Sequence, residues 1–163
     1  MSVSSNVPLA KTSVFARSVA GGNAALLLDN QLCFALYSAS LAMTKLYKPL
    51  LAPLGLTYPQ YLVMLLLWEH ASLSVSELGQ RLYLDSGTLT PLLKRMEAAG
   101  FLERKRSSLD ERRVDILLTP AGRKLKASAA SISACVIRAT ARPLPDLVDL
   151  TRQVQALRTQ LTV

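Results

Sequence analysis

The sequence predicts a mainly α-helical fold that carries one small β-hairpin. Apolar residues recur at steps of three and four along most of the chain, and the spacing changes to two only between Phe101 and Leu118. Glycine, proline and capping residues fall between these segments. A chain of 163 residues is long enough to bury a core and reads as one domain. Its residues are 50% apolar and only 18% charged, which leaves apolar surface for a second subunit.

Residues 1–28 contain no acid and hold only Lys11 and Arg17 as charges. No apolar segment or cleavage site of a targeting peptide follows them, so they read as a flexible N-terminal arm. Leu32, Leu36, Ala39, Met43, Leu46 and Leu50 then mark a helix that Pro53 ends. Tyr61, Met64, Leu65 and Trp68 mark a second helix that starts after Thr57, with Tyr61 in the core. In "SVSE" (74–77) Ser74 accepts from the Glu77 amide while Glu77 reaches back, a capping box that opens a short third helix with Leu78 and Leu82. Tyr83 reads as a further core residue.

A turn follows at once. "DSG" (85–87) supplies its cap, and Leu89, Leu92, Leu93, Met96 and Ala99 line the buried stripe of a fourth helix stopped by Gly100. Pro91 falls near the first turn, where a missing N–H costs least. Phe101 to Arg106 and Val114 to Leu118 alternate around a polar tip and form the hairpin. "TPAG" (119–122) places Thr119 as N-cap and Pro120 at the first position of a long fifth helix, with Leu125, Ala129, Ile132, Val136 and Ala139 on one face. Beyond Pro143 to Pro145, Leu147, Leu150, Val154, Leu157 and Leu161 form a last stripe. Nothing in so small a domain is left to cover the terminal stripes. Residues 29–56 and 119–163 are therefore expected to form a dimerisation region around a lobe at 57–118.

Short helix, turn, second helix and hairpin in that order make a winged helix-turn-helix. The net charge is +8 and the pI about 9.9, which suits a polyanionic partner. Seven basic residues and four acids lie between Lys94 and Arg113, most of them in "ERKRSSLDERR". Taken alone, that run also reads as a solvated loop. Ser86, Thr88, Thr90, Lys94 and Arg95 lie on the fourth helix, and the last four are opposite the leucine stripe, free for base edges and phosphates in a major groove. Arg106, Arg112 and Arg113 place arginine in the wing for the neighbouring minor groove, with Asp110 two residues before Arg112 to orient its guanidinium. The expected partner is double-stranded DNA.

Other classes fit less well. The longest apolar run, Tyr61 to Trp68, falls far short of the roughly 20 residues that span a bilayer. Cys33 and Cys135 match no metal spacing, and a disulfide-dense scaffold would hold more cysteine, so a reducing cytoplasm is expected. His70, the single histidine, reads as a solvated helix-end residue rather than a metal ligand, and no cofactor motif is visible. A thiol peroxidase built on Cys33 lacks the βαβ pattern of a thioredoxin-like fold.

Two readings of Cys33 stand. Free cysteine commonly packs as a small hydrophobe. Cys33, however, shares steps of four and three with Tyr37, Ser40, Thr44 and Tyr47, a lane of hydroxyls rather than leucines. Hydroxyl donors favour the thiolate, and so would a helix N-terminus if Asp29 caps it; an upstream extension through Leu26 to Leu28 would weaken that dipole. Tyr37 is one turn away. Tyr47 lies 14 residues on, about 21 Å along one helix, out of reach within it.

"LCFALYSA", "LTYPQYLVMLLLWE", "LYLDSGTLTPLLKRMEAAGFLERKRS" and "DERRVDILLTPAG" resemble the MarR family of winged-helix repressors, in its organic-hydroperoxide-sensing branch, over about residues 28–140. The resemblance implies a homodimer whose reduced form binds an operator and whose oxidised form, made by organic hydroperoxide, releases it. It implies that Cys33 is the sensing thiol, that Tyr37, Tyr47 and Tyr58 stabilise its thiolate, and that the last two act across the dimer. In the two-cysteine subgroup a second cysteine, placed like Cys135, condenses with the sulfenic acid, within or between subunits; otherwise Cys135 is an apolar core residue beside Ile132 and Val136. The other functional reading is a MarR-type repressor released by a small aromatic ligand, with both cysteines silent.

Overall fold

The computed structural model describes residues 24–106 and 113–162. The chain divides into two compact units, Met1–Lys45 and Leu46–Val163. In the first, short 3₁₀ turns at Ala24–Leu26 and Leu28–Asn30 precede helix α1, Leu32–Leu51. Asn30 secures the turns by donating its side-chain amide to the Ala24 carbonyl at 2.8 Å. Of the two possible starts, neither an Asp29 cap nor a continuous upstream extension is present: Asp29 belongs to the second turn and α1 begins three residues later. Leu26, Leu27, Leu28 and Leu32 are all more than half exposed.

In the second unit, α1 ends in a turn at Ala52–Leu54, which Gly55 closes at φ +67°, a left-handed conformation that glycine adopts without steric cost. Helix α2, Tyr58–Glu69, starts on a reciprocal cap in which Gln60 accepts from the Thr57 amide at 2.8 Å. Strand β1, Ser72–Ser74, follows, then α3, Val75–Leu82. The expected capping box is present: the Glu77 amide donates to the Ser74 hydroxyl at 3.2 Å and the Ser74 amide to the Glu77 carboxylate at 2.7 Å. The turn into α4, Ser86–Ala98, leaves no room beside Gly79, where an added Cβ would lie 2.9 Å from the Leu84 carbonyl oxygen.

Strands β2, Leu102–Arg106, and β3, Val114–Leu118, make the antiparallel hairpin, in the register Leu102 opposite Leu118 and Arg106 opposite Val114. β1 pairs with the other edge of β3, Leu73 opposite Ile116, so the sheet has three strands in the order β1-β3-β2. The sequence showed two. A strand of three residues, Ser-Leu-Ser, is too short to display a period. Helix α5, Pro120–Thr140, begins on the Thr119 cap, and α6, Leu144–Leu161, follows a break at Ala141 to Pro143.

Leu78 from α3, Leu89, Leu93 and Met96 from α4, and Leu102 and Ile116 from the sheet are at most 1% exposed and form the centre of the lobe. Met64 and Val63 of α2 close it from one side, and Ala129, Ile132 and Val136 of α5 are buried as well. Tyr83 is a correction. It caps α3 at φ +56°, is 61% exposed, and has the Arg158 guanidinium 4.3 Å over its ring, so it is no core residue. His70 caps the end of α2 with its side chain 36% exposed, and its Nε2 is buried 3.7 Å from Glu69 without a hydrogen-bond partner among the described residues. No single helix among the described residues is long and apolar enough to cross a membrane.

Candidate DNA interface and redox site

The fourth helix meets its neighbours with leucine and leaves the other face open. Leu89, Leu92, Leu93 and Met96 are buried, whereas Ser86, Thr88, Lys94 and Arg95 are exposed and Thr90 is half-buried. Thr88 is committed locally: its amide and its hydroxyl each donate to the Asp85 carboxylate at 2.8 Å. Those two bonds, the hydroxyl's the larger, hold the Asp85 carboxyl below its ordinary range and fix the first turn of α4.

Arg106 is exposed at the end of β2. Arg113 stands where β3 begins, 3.2 Å from Glu77 of α3 and 2.7 Å from Asp115. The carboxyl of Glu77 is held low first by the hydrogen bonds from Ser74 and then by Arg113, so one carboxylate caps α3 and ties the wing to it. Arg104 makes a similar strap to Glu97 of α4 at 2.8 Å. Ser74, Ser76, Thr90, Arg104 and Arg113 line an open recess of about 550 Å³ between helix and wing. Asp110 and Arg112 lie outside the described residues.

Cys33 is exposed and occupies the second position of α1. Tyr37, 61% exposed, is one turn away on the same face. The hydroxyl lane is less available than its spacing suggests, since Thr44 donates to the Ser40 carbonyl at 2.9 Å. Tyr47 and Tyr58, both half-buried, lie with ring centroids 4.7 Å apart, and a third phenol, Tyr61, stands 5.8 Å from Tyr47. Burial, and then the neighbouring phenols, push the Tyr47 hydroxyl above its usual pKa of 10.0, so it keeps its proton and remains a donor. Cys135 is half-buried on α5, and the Arg138 guanidinium donates to its sulfur at 3.3 Å.

Comparison with known proteins decides the family. Over 123 residues the chain is 55% identical to the organic hydroperoxide resistance transcriptional regulator of Bacillus subtilis, an alignment covering 76% of this chain and 84% of that one. The structure of reduced AbfR bound to DNA superposes with a TM-score of 0.70 at 35% identity, over 83% of this chain and 95% of that chain; AbfR comes from Staphylococcus epidermidis. The chain belongs to the MarR family of winged-helix transcriptional regulators, in its organic-hydroperoxide branch. A family model described as transcriptional regulator SarA/Rot also matches residues 45–129. AbfR in its disulfide form superposes with a TM-score of 0.59 at 37% identity, over 80% of this chain and 91% of that chain.

In this MarR-family chain, sequence reasoning passed over three participants. Glu77 was seen only as a cap, although it also holds Arg113 of the wing. Arg138 stands three residues from Cys135, a spacing that places two helical side chains together. Tyr61, taken as core, is 3% exposed as expected but also belongs to the tyrosine cluster, which a one-turn step from Tyr58 would have suggested.

Proposed function

We propose that this chain is a redox-switched transcriptional repressor that binds operator DNA as a reduced homodimer and releases it when an organic hydroperoxide oxidises Cys33. The observation that carries the reading is the exposed Cys33 thiol at the start of α1, whose far end carries Tyr47 packed against Tyr58 of α2. Residues 29–56 and 119–163 dimerise, and the lobe at 57–118 meets DNA. Lys94 and Arg95 reach the major groove with Ser86 and Thr90, and Arg106 and Arg112 follow the phosphates of the wing's groove. Thr88 and Arg113 act with them, positioned by Asp85 and Glu77.

The chemistry balances with the hydroperoxide as the only oxidant. The Cys33 thiolate attacks one peroxide oxygen, an S–O bond forms, the O–O bond breaks, and the alkoxide leaves and takes a proton as an alcohol. Tyr37 of the same helix, with Tyr47 and Tyr58 of the partner subunit, donates to the thiolate before attack. Cys135, contacted by the Arg138 guanidinium, then attacks the Cys33 sulfur as its thiolate, an S–S bond forms, and hydroxide leaves and takes a proton as water. A disulfide needs Cα atoms within roughly 7 Å, so the helices that carry the thiols shift if the reduced pair stands farther apart, and the spacing of the recognition helices shifts with them. AbfR, solved in a reduced form bound to DNA and in a disulfide form, supports this reading by analogy.

The test follows the sulfur. Treatment with one equivalent of organic hydroperoxide, non-reducing electrophoresis and peptide mass mapping should give a Cys33–Cys135 disulfide running as a covalent dimer. Cys135→Ser should stop at sulfenic acid and drift to sulfinic acid under excess. A Cys33 that stays reduced while the protein is otherwise intact would contradict the reading.

A further inference from the structure

Trp68 is the chain's one tryptophan, and it stands between the two places that such a switch has to connect. On one side is the phenol cluster. Tyr61 is one helical turn beyond Tyr58, and its ring packs 5.8 Å from Tyr47 and, edge-on, 6.2 Å from Trp68. On the other side is the root of the wing. The indole N–H donates to the Gly122 carbonyl at 3.0 Å, and the Lys126 ammonium donates to the Trp68 carbonyl, also at 3.0 Å.

Gly122 has no freedom of its own. A Cβ there would lie 2.0 Å from the Phe101 carbonyl oxygen, so the first turn of α5 is pressed against the residue that leads into β2. The Thr119 amide and hydroxyl donate to the same oxygen at 3.2 and 3.1 Å. Packed interiors pass displacement on because they have discrete arrangements rather than soft ones. Trp68 is itself only half-buried, so filling the core does not account for its size.

We infer that Trp68 is a positioning residue through which the state of the tyrosine cluster reaches the wing, by way of Tyr61, the indole and the α5 turn at Gly122. The inference rests on the reading above, in which Tyr47 and Tyr58 serve the Cys33 thiolate. When oxidation withdraws that acceptor the phenols repack, Tyr61 moves with them, and the indole carries the shift to Gly122 and Phe101. DNA affinity of the reduced protein and the rate of Cys33 oxidation do not depend on the indole N–H. The difference in affinity between the two redox states does.

Two measurements test this on the full-length dimer. Tryptophan emission should shift on oxidation by organic hydroperoxide in the parent and stay unshifted in Cys33→Ser. Trp68→Phe, which keeps a ring and deletes the donor, should bind DNA and oxidise as the parent does, yet lose roughly 2- to 30-fold of the oxidation-induced drop in affinity. Unchanged emission in fully oxidised parent protein overturns the inference without any substitution, and so does full release by folded Trp68→Phe. Both leave the sensor reading in place. A parent that hydroperoxide oxidises but does not release from DNA overturns both readings.

Discussion

Helix α4 spans 13 residues and buries Leu89, Leu92, Leu93 and Met96, whereas α6 spans 18 residues, buries none, and leaves Leu144, Val148, Leu150 and Val154 more than 40% exposed. Both carry apolar residues at helical spacing. The difference is that the lobe supplies α4 with neighbours on α2, α3 and β2, and the described residues of a single copy offer α6 nothing comparable. The lobe is complete in one chain, while the terminal helices require another surface. Family membership makes a second copy the natural one.

The largest expected effect comes from breaking the complete half. Leu89→Ala should cost about 2–5 kcal/mol, measured by urea unfolding, because its site is fully enclosed. That loss should not depend on protein concentration. Val154→Asp tests the incomplete half: it should leave the circular dichroism of the lobe unchanged and weaken self-association by about 1.5–3 kcal/mol, the burial value of one such side chain, in sedimentation analysis. If Val154→Asp sediments as the parent does, α6 lies outside the dimer interface.

A third substitution asks what the lobe does with its charges. Arg112→Ala should weaken operator binding by about 1–3 kcal/mol, reduce the salt dependence of affinity, and leave thermal unfolding unchanged. The smallest effect concerns the caps. Glu77 and Asp85 have carboxyls held below their usual 4.5 and 3.8, by Ser74 and Thr88 respectively. A depressed folded pKa stabilises the fold above the unfolded value, and that contribution is lost as pH falls through the folded one. These caps should therefore be silent between about pH 7 and 5, and the melting temperature should decline below about 4.5. Glu77→Gln should flatten part of that decline.

Helices were legible in the sequence wherever a core face repeats. The stripe of α4 and the Ser74, Asp85 and Thr119 caps were found because their signals are local: a periodic face, or an acceptor beside an orphan amide. β1 was missed because its order comes from pairing with Ile116, 43 residues after Leu73. Tyr83 was misplaced because the apolar run Leu82 to Leu84 does not reveal a left-handed C-cap. At the candidate site, spacing placed Cys33 and Tyr37 one turn apart and the family resemblance named Tyr47 and Tyr58, but the packing of Tyr47, Tyr58 and Tyr61 and the Glu77 strap to Arg113 depend on how separate elements meet.

In the proposed switch, one thiol controls the lobe. Operator binding should be followed by fluorescence anisotropy while organic hydroperoxide is added, with parent protein and Cys33→Ser in parallel at fixed salt. Reduced forms of both should bind alike, the parent should release DNA once oxidised and rebind after a thiol reductant, and Cys33→Ser should stay bound throughout. Release of Cys33→Ser by the same oxidant, or a parent that remains bound after complete oxidation of Cys33, would contradict the switch.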